Sequence, residues 1–309
     1  MDKNKRPILI TGTHRAGTTW VGKIIALSKD IGYISEPFSL HHRYGIFNYN
    51  IEYWFQYIYD VNEADILIPF QNMLNFKYNL SPEIRTVKSL KDFLRMIRDF
   101  YVFNSNHIVK KRPLIKESLA FFSAPWISLE FSADILIMIR HPAAFIGSLK
   151  KGNTKFPFKN LLLQEKLMEE ILTPFKYKIE EYSKREYSII NQGILLWNIF
   201  HYVIFEYKKK YHNWLFYRHE DISNDPINKF KEIYQKLNIK WTDKIEKKIY
   251  DYSFVKKIKE DKNINGKEIK RNSKETIKNW EKRLSKDEIS LIKKETFEIS
   301  SLFYKEYEW

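Results

Sequence analysis

The chain of 309 residues contains no cysteine. That absence removes disulfides, thiolate-bound metals and cysteine nucleophiles together, and it leaves the redox compartment unconstrained. Glycine and proline are also few, at 9 and 10 residues, and no linker, repeat or low-complexity tract divides the chain. Long apolar runs are missing: the longest, from Ile194 to Phe205, is broken by Asn198 and His201 and falls short of the roughly 20 residues that span a bilayer. The polar stretch Met1 to Arg6 lacks the apolar core of a secretory signal. The expectation is a soluble, cytoplasmic protein with at most peripheral membrane contact. Acidic residues are in deficit, 38 against 53 Lys+Arg, for a formal charge of +15. Such a field favours a nucleotide, a phosphorylated cofactor, an acidic polymer or a membrane surface, although much of the lysine is scattered among Ile and Asn as solvating charge.

What is abundant is apolar and aromatic. Hydrophobic residues make up 44% and aromatics 16% of the chain, enough for a sizeable core and for packing against planar ligands. The length fits one α/β domain over residues 1–309. Ile8-Leu9-Ile10-Thr11 reads as a strand, Thr18 to Ser28 as a helix and Ile31 to Ser35 as a second strand closing at Glu36-Pro37. The stretch Ile51 to Ser105 reads as helical, with Phe93, Leu94, Ile97, Phe100 and Tyr101 on one face. Further strands are expected near Leu114-Ile115, at Ile135 to Ile139, and at Trp214 to Tyr217. The Ile135–Ile139 run is continuous, as buried parallel strands are. Pro142 suits a first helical position, a long helix is expected over Ile189 to Tyr211, and Ser285-Lys286-Asp287-Glu288 has the form of a capping box. Strands alternating with helices predict a mostly parallel sheet flanked by helices.

Between the first strand and first helix lies Gly12-Thr13-His14-Arg15-Ala16-Gly17-Thr18-Thr19-Trp20. Backbone N–H groups there, with the helix N-terminus, can enclose a phosphate. The two glycines have the spacing of an ATP-binding P-loop, but Thr18 stands where its lysine would be and the positive charge is at Arg15. A P-loop kinase is therefore the weaker alternative. A basic nucleic-acid-binding protein, the other alternative, explains the charge but not this loop.

Arg15-Ala16-Gly17-Thr18-Thr19-Trp20 closely resembles the loop with which sulfotransferases hold the 5′-phosphosulfate of 3′-phosphoadenosine 5′-phosphosulfate (PAPS). The resemblance extends to Arg140-His141-Pro142 through Ser148, an arginine ending a strand and a serine eight positions on, which in that family bind the 3′-phosphate. It covers the first 40 residues and the region 114–151 well and the C-terminal third loosely. It implies a three-layer P-loop sulfotransferase fold, sulfuryl transfer to an acceptor hydroxyl or amine, and no metal. By position it implies a cofactor set of His14, Arg15, Ala16, Gly17, Thr18, Thr19, Arg140 and Ser148. Arg271, Ser273 and Lys274 ahead of Trp280 match the family's third element less well, because its lysine and glycine are out of place; an ordinary basic helix start is the other reading.

The family's small-molecule enzymes place a histidine as base in a K-T-H element, where this chain has Lys116-Glu117-Ser118. Its carbohydrate-type members place a glutamate soon after the first helix, and Glu36 stands there. The expectation is thus Glu36 as general base, with Arg15 and Lys116 stabilising the leaving group; a turn carboxylate for Glu36 and a structural ion pair of Lys116 with Glu117 or another acid are the alternatives. The segments near 45–106 and 152–188 match nothing in the family and are expected to build the acceptor site for a carbohydrate or glycolipid, with no role for nucleic acid. Arg218-His219-Glu220-Asp221 resembles a structural element of the family and is assigned no chemistry.

Overall fold

The computed structural model describes residues 5–254 and 277–309. Its strands are β1 (Ile8–Gly12), β2 (Ile31–Ser35), β3 (Arg112–Lys116), β4 (Asp134–Ile139) and β5 (Leu215–Arg218). Among the described residues they form one sheet in the order β2-β3-β1-β4-β5, with every neighbouring pair parallel. The run Ile135–Ile139 of β4 is unbroken and apolar, as in strands whose two faces are both covered; β1 and β3 are buried along their whole length, β3 with Arg112 and Lys116 at its ends.

Alternation along the strands sends Leu9, Ile115, Ile135 and Ile137 into one apolar cluster and Ile8, Ile10, Leu114 and Leu136 into another. The helix Thr18–Ile25 covers the second cluster with Val21, Ile24 and Ile25. The helices Pro142–Gly152 and Ile189–Lys210 cover the first with Phe145, Leu149, Leu195 and Leu196. Local signals place the helix ends. Pro142 opens its helix, and Ser188 accepts from the Asn191 N–H at 3.1 Å. Ser285 and Glu288 close a reciprocal capping box at 3.2 and 2.7 Å, opening the helix Lys286–Ser300.

Two features depart from the periodicity. Residues 51–59, expected to be helical, are irregular up to the helix Asp60–Leu74. Their backbone donors are taken by side chains instead: Gln56 accepts from the Glu52 and Tyr53 N–H groups at 3.3 Å. Asn160 accepts from Trp54 at 2.8 Å and Gln164 from Tyr57 at 2.7 Å. Those partners lie more than 100 residues away, so local pattern could not reveal them. In the helix Leu90–Ile108 the buried residues are Met96, Phe103 and Asn106, while the apolar face carrying Leu94, Ile97 and Tyr101 is exposed.

With all strands parallel, their carboxyl ends share one edge of the sheet. The chain passes from β3 on one side of β1 to β4 on the other, so the crevice for a ligand opens at the end of β1.

Candidate active site

Gly12 ends β1 at φ +136°, where a Cβ would come within 2.4 Å of the Met138 carbonyl oxygen. The loop that follows turns back through Arg15 at φ +68° and Gly17 at φ +92°. Gly17 then begins the helix Thr18–Ile25 without a side-chain cap, which leaves the positive end of the helix facing the loop. Thr18 Oγ1 lies 3.2 Å from the Ser118 hydroxyl, and Thr11 Oγ1 donates to the Ser118 carbonyl at 3.4 Å. The turn after β3 thereby fastens the loop from one side.

From the other side comes β4. Arg140 donates from a terminal nitrogen to the carbonyl oxygen of Arg15, and Arg15 Nε donates to Ser148 Oγ at 3.0 Å. The two motifs, far apart in sequence, are one cluster in space. The Arg140 carbonyl accepts from Trp197 Nε1 at 2.9 Å, which locks the strand end to the helix Ile189–Lys210. Beneath it lies the buried carboxylate of Glu220, accepting from the His141 N–H at 3.1 Å and the Tyr304 hydroxyl at 3.0 Å. Burial raises the Glu220 pKa, opposed by those donors and by Arg140.

Several buried polar atoms here have no hydrogen-bond partner: Thr13 Oγ1, His14 Nδ1 and Arg140 Nε. Unpaired buried polar atoms are costly; Thr13 and His14 belong to the loop itself, and Arg140 reaches it from the end of β4. They fit an anionic, phosphate-bearing group, as does the uncapped helix end. His14 packs against Phe55 and Phe145, with ring centroids 6.0 and 5.3 Å away. Burial, with Arg15 adding to it, lowers its pKa to about 4, so the ring is neutral at ordinary pH. Ala16 is fully buried, its N–H donating to the Thr13 carbonyl at 3.2 Å, whereas Arg15 and Thr19 are exposed.

A second group gathers at the ends of β2 and β3. The Glu36 N–H donates to the Lys116 carbonyl at 2.9 Å, continuing the β2–β3 ladder by one residue. Glu36 then turns through φ +54°, an unfavourable conformation for a glutamate. Its carboxylate is ion-paired with Lys116 Nζ. Lys116 is almost fully buried while the Glu36 side chain is 59% exposed, so the lysine holds from beneath a carboxylate that the solvent can reach. Of the acids that the alternative reading offered Lys116, its neighbour Glu117 is engaged elsewhere. Its two oxygens accept from the Phe38 N–H at 2.7 Å and the Leu119 N–H at 2.9 Å, binding the Glu36-Pro37-Phe38 turn to the end of β3. Burial pushes the Glu117 pKa up to about 7 against the pull of those donors.

Arg271, Ser273 and Lys274 lie outside the described residues. Trp280, which follows them, is buried and stacks on His141 at 5.4 Å between centroids, with the planes 13° apart.

Sequence reasoning assigned no supporting role to Glu117 and Ser118, and it marked His219 and Glu220 as structural by resemblance without showing what they support. The His219 ring lies directly under Gly17, its Cδ2 only 2.4 Å from where a Cβ would stand. Besides that resemblance the signal was position, since residues just past the ends of the parallel strands β3 and β5 reach the same edge of the sheet.

A model of the sulfotransferase domain matches residues 5–298 of the chain. The chain belongs to the sulfotransferase family. Members of that family are enzymes that draw their sulfuryl group from PAPS, and this sulfotransferase shares their α/β architecture. No curated protein matches its sequence. Among solved structures it is similar to the sulfotransferase domain of the Synechococcus PCC 7002 olefin synthase: 15% identity, 98% of this chain and 97% of that one, TM-score 0.45. It is similar also to mouse sulfotransferase SULT7A1 complexed with PAP, at 14% identity over 96% and 85% of the chains and a TM-score of 0.46. The sulfotransferase domain of the curacin biosynthetic pathway is 13% identical over 96% and 97%, with a TM-score of 0.46. Likenesses this distant carry nothing about the acceptor.

Proposed function

We propose that this sulfotransferase binds PAPS across the Arg15–Ser148–Arg140 cluster and transfers its sulfuryl group to an acceptor hydroxyl with Glu36 as general base. The observation that carries the reading is the convergence of the two phosphate motifs, Arg15 Nε on Ser148 Oγ at 3.0 Å and Arg140 on the Arg15 carbonyl. PAPS supplies a sulfur whose bond to a 5′-phosphate oxygen breaks as its bond to the acceptor oxygen forms. Glu36 takes the acceptor proton, which requires an exposed carboxylate at the crevice, and it has one. Arg15 and Lys116 offset the negative charge that collects on the departing phosphate oxygen. Arg140 and Ser148 hold the 3′-phosphate with a charged fork and a directional hydroxyl.

For the acceptor we propose a carbohydrate or glycolipid hydroxyl with an acidic group nearby. A cleft of about 570 Å³ opens beside Ser35, the neighbour of Glu36, and is lined by Tyr33, Arg43, Arg95, Arg98, Asp99 and Phe103 among others. Its size suits a small ligand. Its wall comes partly from the 45–106 segment and partly from β2 and Arg43, and no residue of 152–188 lines it. Three arginines face one aspartate there, which favours an anionic group. Arg43 and Arg98 are partly engaged, Arg43 with Glu83 and Asp99 and Arg98 with Asp99.

Two experiments test the reading. Saturating 3′-phosphoadenosine 5′-phosphate should raise the unfolding midpoint by about 5 °C, a shift typical of ligand near a hundredfold its Kd. ATP and 5′-AMP should give little, and Arg140→Ala should abolish the response; an equal response to ATP would remove the 3′-phosphate site. With any accepted hydroxyl, Glu36→Gln should lower kcat by roughly a hundredfold to ten-thousandfold and leave nucleotide binding intact. Unchanged turnover would exclude Glu36 as the base.

A further inference from the structure

The helix Leu90–Ile108 is apolar on two opposite faces. Met96 and Phe103 are buried on one. On the other, Leu90, Leu94, Ile97, Tyr101 and Ile108 are separated by three, four or seven residues and form one line along the helix. They are exposed at 74, 58, 47, 74 and 77% respectively. Phe93, at 44%, widens the stripe on one side. Aligned apolar side chains on a surface mark a contact rather than chance exposure. Nothing in the catalytic cluster touches this stripe.

Its borders decide the occupant. Lys91, Arg95 and Arg98 follow one flank of the stripe, and Arg85, Lys88, Lys110 and Lys111 stand at its two ends. The acids nearby are few and already engaged: the Asp92 carboxylate accepts from the hydroxyl of the capping Ser89 at 2.6 Å and lies 3.8 Å from Arg95, and Asp99 is 13% exposed and pairs with Arg98. An apolar stripe edged by cations is the form of an interfacial helix, whose large side chains enter the acyl boundary while lysine and arginine meet anionic headgroups. A second copy of the chain would instead bring a second formal charge of +15 against these same cations.

We infer that the helix Leu90–Ile108 seats this protein on an anionic membrane surface. Arg95, Arg98 and Val102, at the stripe's basic flank, also line the cleft beside Ser35. A docked molecule would thus present that cleft next to the headgroups, where a lipid-borne acceptor would be met. The docking itself does not depend on the sulfuryl donor or on the assignment of Glu36.

The test is co-sedimentation of the whole chain with vesicles of phosphatidylcholine alone and of phosphatidylcholine with phosphatidylserine, without nucleotide. Binding is expected only to the second kind and should weaken as salt is raised. The double variant L94S/I97S, at two exposed positions, should partition at least about tenfold less while keeping the wild-type circular dichroism and melting curve. Failure of the wild type to bind anionic vesicles, or equal binding by the folded double variant, would overturn the inference. A wild-type dimer in light scattering that L94S/I97S converts to monomer would overturn it as well, by assigning the stripe to contact between copies.

Discussion

Gly17→Ala should all but abolish nucleotide binding. Gly17 sits at φ +92°, and an added Cβ would stand 2.4 Å from His219 Cδ2 and 3.2 Å from its Nε2. The first fact imposes backbone strain on any side chain; the second is an overlap that no rotamer of alanine escapes. The imidazole cannot easily retreat, since it lies against Trp20 at 5.8 Å between centroids and its Nδ1 is within 3.3 Å of the Ser223 hydroxyl. The loop must therefore lift, which shifts the Thr18 and Thr19 N–H groups and the carbonyl of Arg15 that anchors Arg140. We expect a loss of about 1–3 kcal/mol in stability and of more than about a hundredfold in affinity for 3′-phosphoadenosine 5′-phosphate, since several charge-assisted contacts go together. Chemical denaturation and isothermal titration would measure the two. The double variant G17A/H219A separates the causes: recovery of stability without recovery of binding assigns the stability cost to the ring and the binding cost to the backbone. Wild-type affinity in Gly17→Ala would mean that the loop does not hold the ligand.

Acidification should unfold the protein near pH 5, and buried histidines are the reason. Burial lowers the pKa of His141, His201 and His219 to about 3 each and, with Arg15, that of His14 to about 4. All four are neutral in the fold, whereas the unfolded chain binds their protons below about pH 6.5. Their contribution is complete above that pH and is lost as the pH falls toward the folded values. Glu117 acts in the opposite sense: with its pKa pushed up to about 7, it favours the fold as pH falls from there to the unfolded carboxylate range. At about 1.4 kcal/mol per unit per group, the four histidines outweigh it and Glu220, which burial also raises, and leave a net loss of several kcal/mol at pH 5. That is comparable with a whole domain's stability. Ellipticity followed from pH 8 to 4 would show the transition. His141→Phe offers a sharper readout. Both ring nitrogens of His141 are buried without a hydrogen-bond partner, and the ring packs among Trp280, Tyr304 and Trp309. Phenylalanine keeps those contacts and cannot titrate, so the acid midpoint should fall by about half a pH unit. An unchanged midpoint would mean that His141 takes no part in the transition.

Most of the sheet could be read from the chain alone because its signals are local. Ile31–Ser35 is a strand at the residues where the apolar run predicts one, and the run Ile135 to Ile139 is β4. Pro142 and the Ser285–Glu288 box open helices where their chemistry says they should. The places of the two proposed phosphate motifs were equally legible, since each joins a strand end to the turn and helix that follow it.

The pairings were not legible. That Arg15 would reach Ser148, that Lys116 would pair with Glu36 rather than its neighbour Glu117, and that His219 would lie under Gly17 all follow from strand order. Parallel neighbours bring residues about 80 to 200 positions apart to one edge, and no periodicity encodes which strand lies next to which. The same holds for residues 51–59, where Asn160 and Gln164 take up backbone donors that a helix would otherwise have satisfied.

The sequence by itself thus determined the α/β class and the places of the glycine-bearing loop and the arginine–serine element at strand ends, because these depend on neighbours within a few residues. The tertiary structure decided how the two motifs meet, which cation stands behind Glu36, and that a full apolar face of the helix Leu90–Ile108 looks outward. A helical period shows that a face is apolar; only the packing of the rest of the chain shows whether that face is covered.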